Sequence, residues 1–202
     1  MNFRIKGTRP FFKNYIMRNN ERSDWMFLSR LLDYTKLRAH LANGITLMNL
    51  GCGILSILFI VQGSPHMSVI FIFLAVIFDH FDGKVARKFN TESEFGKELD
   101  SLCDLVSFGV APAILIYQVS LSSMPHVGLT LTVLFIICGA VRLARYNIKD
   151  FDGVFSGLPI TAAGFIMALA FFLVPFVPTL FFVLLESALT VSMVSNIRVA
   201  KL

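Results

Sequence analysis

Apolar runs of membrane-spanning length fill this chain from residue 44 onward, and they decide what it can fold into. The runs cover residues 44–62, 67–89, 96–119, 127–147, 157–175 and 178–197. Crossing the hydrocarbon core takes about 20 mostly apolar residues per helix. Backbone groups in lipid must be satisfied within the segment, so such runs form helices and not irregular loops. The expected fold is therefore all-α, a polytopic membrane protein of six transmembrane helices. Composition agrees, because only 15% of the 202 residues are charged, against roughly 25% in soluble chains.

The basic residues orient the bundle. Nine of the 18 Lys and Arg lie in residues 1–39. The rest are Lys84, Arg87, Lys88 and Lys97, then Arg142, Arg145 and Lys149, and finally Arg198 and Lys201. With six alternating helices every group falls on one side, while the connections at 63–66, 120–126 and 175–178 hold no Lys or Arg. The positive-inside rule then places both termini in the cytoplasm, as expected of a bacterial-type inner membrane protein.

Two segments follow. Residues 1–39 read as a basic cytoplasmic arm, and residues 40–202 as one membrane domain. The arm carries nine basic and three acidic side chains, a charge that suits anionic lipid at about 1 kcal/mol per basic residue. Nucleic acid is the competing partner for such an arm, but no nucleic-acid module accompanies it, so membrane lipid is expected and nucleic acid is not. Residues 23–32 can start an amphipathic interfacial helix, with Trp25, Phe27 and Leu28 as anchors. No cleavable signal peptide is expected, because no apolar core follows the first basic residues. Cys52, Cys103 and Cys138 lack metal-ligand spacing and read as packing residues.

Against this background the acidic residues stand out. Asp79, Asp82-Gly83, Ala86-Arg87, Gly96, Asp100 and Asp104 form the pattern D-x2-D-G-x2-A-R-x8-G-x3-D-x3-D. Residues three and four apart share a helix face. Asp79, Asp82, Gly83 and Ala86 make one stripe at the end of the second helix, and Gly96, Asp100 and Asp104 another at the start of the third. A reversal over residues 90–95 lets the stripes face each other. Four carboxylates at a bilayer edge need a cation or a chemical purpose. Oxygen ligands suit hard divalent cations, Mg²⁺ or Mn²⁺. Gly83 and Ala86 keep the stripe low for a ligand to lie against, and Arg87 is placed to hold phosphate oxygens. A cation transporter is the alternative, but transporters set their coupling residues near the midplane, and these aspartates cluster at one interface.

The eight specified positions resemble the defining motif of the CDP-alcohol phosphotransferases. The resemblance implies transfer of a phosphatidyl group from a CDP-lipid to an alcohol hydroxyl, with release of CMP. It implies Asp79, Asp82 and Asp100 as metal ligands, and Asp104 as both metal contact and general base. CDP-lipid binding would fall to Gly83, Ala86, Arg87 and Gly96. Asn43 and Thr46 resemble the family's Pro-Asn-x-x-Thr start of the first helix, with Ala42 in place of Pro. They read equally as a helix cap and as substrate contacts. A homodimer is implied by the resemblance alone.

Two later stretches bear on the acceptor. Arg142-Leu143-Ala144-Arg145-Tyr146-Asn147 and Phe155-Ser156-Gly157-Leu158-Pro159 resemble segments of the branch that uses CDP-diacylglycerol and L-serine. The ending over residues 193–198 resembles that branch as well. Arg142 and Arg145 near a helix end could grip a phosphate or the serine carboxylate, or could simply anchor the helix at the interface. Asn147 is grouped with them as an acceptor or phosphate contact. Glycerol-phosphate and inositol compounds are the alternative acceptors. Glu186, in the sixth run, reads as a group facing the bundle interior. His80 lies off the aspartate stripe and is not expected to be a ligand.

Overall fold

The computed structural model describes residues 43–89, 93–148, 155–195 and 198–199. The basic arm with Trp25, Phe27 and Leu28 lies outside the described residues, as do the reversal at 90–92 and the side chains of Ala86 and Arg87. Six helices account for nearly all the described residues. They are α1 (Asn43–Val61), α2 (Pro65–Phe89), α3 (Glu94–Val119), α4 (Pro125–Ile148), α5 (Ile160–Leu173) and α6 (Thr179–Val194). A two-residue antiparallel ladder joins β1 (Phe155–Ser156) to β2 (Arg198–Val199). Helices α1, α3 and α4 are long and apolar enough to cross a membrane, α5 and α6 are shorter apolar helices, and α2 carries the charged stripe at its end.

Proline marks where helices begin. Pro65 and Pro125 are the first residues of α2 and α4, and Pro159 and Pro178 immediately precede α5 and α6. The first turn has backbone donors with no partner inside the helix, so the missing N–H of proline costs nothing there. This moves the start of α5 from the expected residue 157 to 160. Gly157 takes φ 81, which a side chain would strain. A Cβ there would also stand 2.5 Å from the Met193 carbonyl. The adjoining Leu158 N–H donates to the Ser192 carbonyl at 3.1 Å, which ties this loop to the end of α6. The ladder just beyond ends α6 at 194, short of the expected 197.

Helix α3 starts on Ser93, whose Oγ accepts from the Gly96 amide at 3.0 Å, with Glu94 in the first turn. Both features suit the positive end of a helix. Immediately after Asp104 the helix widens into a π turn, Leu105–Val110, where the Ala111 N–H reaches back to the Val106 carbonyl. Pro112 follows, and its absent N–H favours such a break in the regular ladder. The core is apolar and centred on α3, with Phe108, Phe135 and Phe182 among its largest enclosed side chains. Val61, Ile148, Leu184 and Val191 point outward. Lipid accepts such a surface, and close packing then holds the helices together. Cys52 and Cys103 are buried, Cys138 is half-buried, and all three are free thiols.

Candidate active site

The face of α2 ending at Asp82 meets the face of α3 that carries Asp100 and Asp104. One carboxylate oxygen from each of Asp79, Asp82 and Asp100 lies within 4.8 Å of the others. Two full charges at that separation repel by about 3 to 4 kcal/mol at an effective dielectric constant near 20. Asp82 Oδ2 and Asp100 Oδ1 are buried with no hydrogen-bond partner among the described residues. Two orphaned oxygens in a three-carboxylate cradle are what a hard divalent cation would satisfy, and the donor set is all oxygen. The residues present fit such a metal.

Asp104 lies beside this trio. It is buried, comes within side-chain hydrogen-bonding reach of Asp79, and accepts from Asn49 Nδ2 at 3.3 Å. The α1 face supplies part of the site as well. Thr46, buried on that face, bonds the Asp82 carboxylate. Asn43 Oδ1 would stand 3.3 Å from a Cβ at Gly96, so the starts of α1 and α3 pack closely. Thr46 thus belongs to the carboxylate site, and Asn43 stands at its edge. Gly83 is half-buried on the same face of α2 as Asp79 and Asp82.

The α4 residues divide. Arg142 is half-buried and close enough to Asp104 to feel its charge. Its Nε is buried with no partner among the described residues. Arg145 is exposed. Asn147 is engaged with α3: its Nδ2 donates to Ser101 Oγ at 3.1 Å, and its backbone carbonyl accepts from Lys97 Nζ at 3.4 Å. Lys97 also lies over the Tyr146 ring at 5.6 Å. This clamp holds the end of α4 against the start of α3, and so holds Arg142 near Asp104.

Sequence reasoning missed Asn49, Ser101 and Ser107. Asn49 is fully buried, and Ser107 Oγ donates to its backbone carbonyl at 3.1 Å. A signal was present. Asn43, Thr46, Asn49, Gly53 and Ser56 recur every three or four residues along an otherwise apolar α1, which marks one polar, small-residue face turned inward. Glu186 is also fully buried, on α6, and both its carboxyl oxygens lack partners among the described residues.

Residues 39–194 match the model of the CDP-alcohol phosphatidyltransferase family. The chain is 42% identical over 129 residues to a CDP-diacylglycerol–serine O-phosphatidyltransferase of Bacillus subtilis, covering 63% of this chain and 73% of that one. It is 39% identical over 157 residues to an archaetidylserine synthase of Methanothermobacter thermautotrophicus, covering 76% and 66%. A CDP-diacylglycerol–serine O-phosphatidyltransferase of Methanocaldococcus jannaschii is 44% identical over 123 residues, covering 61% and 56%.

Proposed function

Because the chain belongs to the CDP-alcohol phosphatidyltransferase family, we propose that it transfers the phosphatidyl group of CDP-diacylglycerol to the hydroxyl of L-serine. The products are phosphatidylserine and CMP. The observation that carries this reading is the meeting of Asp79, Asp82 and Asp100 beside Asp104, with Arg142 close enough to Asp104 to feel its charge. The names of the relatives from Bacillus subtilis and Methanocaldococcus jannaschii support serine as acceptor.

Each residue then has a task. Asp79, Asp82 and Asp100 would hold the divalent cation, Mg²⁺ or Mn²⁺, and their geometry supports that set more directly than it supports Asp104 as a further ligand. When bound, the cation supplies positive charge that binds the diphosphate and stabilises charge developing on it. Asp104 takes the proton from the serine hydroxyl, because an alcohol is a poor nucleophile at neutral pH. The hydroxyl oxygen bonds to the phosphorus that carries the diacylglycerol. The bond from that phosphorus to the bridging oxygen breaks, and the oxygen leaves with CMP. Thr46 keeps the Asp82 carboxylate oriented. Gly83, Ala86, Arg87, Gly96 and Asn43 form the proposed CDP-lipid side of the site. Arg142 takes the serine carboxylate, whereas exposed Arg145 is better placed to anchor α4 at the interface. Asn147 contributes by holding α4 to α3.

In this reading all six helices cross the membrane, both termini and the site face the cytoplasm, and the enzyme works as a homodimer. Purified protein in detergent, given CDP-diacylglycerol and one acceptor at a time, tests the acceptor. CMP release should be fastest with serine. Faster release with glycerol-phosphate, inositol or inositol phosphate would refute the serine reading while leaving the transfer chemistry intact.

A further inference from the structure

Around Asp104 the structure leaves two buried polar atoms of opposite kind without partners among the described residues: Arg142 Nε, a donor, and Asn49 Oδ1, an acceptor. The orientation of the Asn49 amide is fixed by its neighbour. In the ionised form that a general base needs, Asp104 offers only acceptors, so the NH₂ faces it at 3.3 Å and the carbonyl oxygen is the free end. The side chain is fully buried and cannot swing out to water. Its backbone is held as well. Ser107 Oγ donates to the Asn49 carbonyl at 3.1 Å. One turn further along α1, a Cβ at Gly53 would come within 2.9 Å of Ser107 Cα, so only glycine permits this approach of α1 to α3.

We infer that Asn49 Oδ1 receives the ammonium group of the acceptor, so that the subsite reads a zwitterion: carboxylate at Arg142, ammonium at Asn49, hydroxyl at Asp104 between them. This rests on the reading of serine as acceptor and adds to it a second specificity-determining residue. Inositol and glycerol-phosphate carry no ammonium to complete the pairing. A buried amide oxygen left without a donor is costly, and a charged N–H donor is the strongest partner that could fill it.

The experiment compares serine with 3-hydroxypropionate, which keeps the hydroxyl and carboxylate and lacks the ammonium. Both are measured by CMP release in the full-length protein and in Asn49→Ala and the nearly isosteric Asn49→Leu. The parent should favour serine in kcat/KM by about 10- to 150-fold. In both variants that preference should collapse toward unity, carried by a higher KM for serine, with the KM for CDP-diacylglycerol little changed. A purely structural defect would lower both acceptors together and preserve their ratio, which would overturn the assignment. An altered half-saturating Mg²⁺ or Mn²⁺ concentration with an unchanged acceptor ratio would also overturn it, by placing Oδ1 against the cation. A parent that releases no CMP in response to serine would refute the proposed function itself, an outcome distinct from either.

Discussion

The facing ends of α2 and α3 and the middle of α6 both bury carboxylates in apolar helices, but they treat the charge differently. Asp79, Asp82, Asp100 and Asp104 converge from two helices, and they meet Thr46 and Asn49 from α1 and Arg142 from α4. Glu186 is buried on α6 with Phe182, Leu189 and Met193 on the same helix, and its carboxyl oxygens have no partner among the described residues. The nearby Thr190 hydroxyl donates to the Glu186 backbone carbonyl at 2.7 Å and leaves the carboxyl oxygens unserved. Convergence of several charged groups from separate helices is what the proposed cation and reaction rest on.

The largest expected effect falls on the cradle. Asp79→Asn, Asp82→Asn or Asp100→Asn should each remove metal-dependent CMP release below detection, since the change removes charge with little change in volume. Turnover near the parent level in any of them would remove that residue from the metal site. Asp104→Asn should slow the chemical step by about 10²- to 10⁴-fold while CDP-lipid binding persists, the usual contribution of a general base. Parent-level kcat would end its assignment as the base. Arg142→Ala should cost about 10- to 150-fold in kcat/KM for serine through a lost charge-assisted bond of roughly 1.5 to 3 kcal/mol, and Arg145→Ala far less. Equal losses would erase the distinction between the buried and the exposed arginine. At the small end, Glu186→Gln should keep activity within about twofold, because a neutral isostere suits an apolar surrounding. A loss as large as that of the aspartate variants would make the α6 acid part of the site.

The helices and the aspartate stripes were legible because each depends on local pattern. Hydropathy over a window of about 20 residues gives the helices, and three- and four-residue spacing gives a shared face. The sequence reading placed the six helices within a few residues of those observed. It could not separate Arg142 from Arg145, since both satisfy the charge bias and only the rotation of α4 decides which one turns toward Asp104. It overlooked Asn49, because the polar face of α1 shows that the amide turns inward but not that it meets a carboxylate 55 residues away. The π turn after Asp104 had one local sign, Pro112, which by itself does not tell a π turn from another break in the ladder. Asn147 was grouped with the arginines by proximity in sequence, whereas its amide is taken up by Ser101 on another helix.

Sidedness remains a separate test of the proposed topology. Single cysteines at Ser64 and Ser122 should react with an impermeant thiol reagent in intact cells, and cysteines at Ser23 and Asn90 should not. The reverse pattern would put the aspartates on the side away from cytosolic serine.

The central claim is that the Asp79, Asp82 and Asp100 cradle holds a divalent cation required for phosphatidyl transfer to serine. Its most direct test is serine-dependent CMP release from CDP-diacylglycerol by purified protein, before and after chelation with EDTA and after adding back Mg²⁺ or Mn²⁺. Release should stop on chelation and return with the metal in the parent, and should fail to return in Asp100→Asn. Undiminished serine-dependent release in EDTA would contradict the claim.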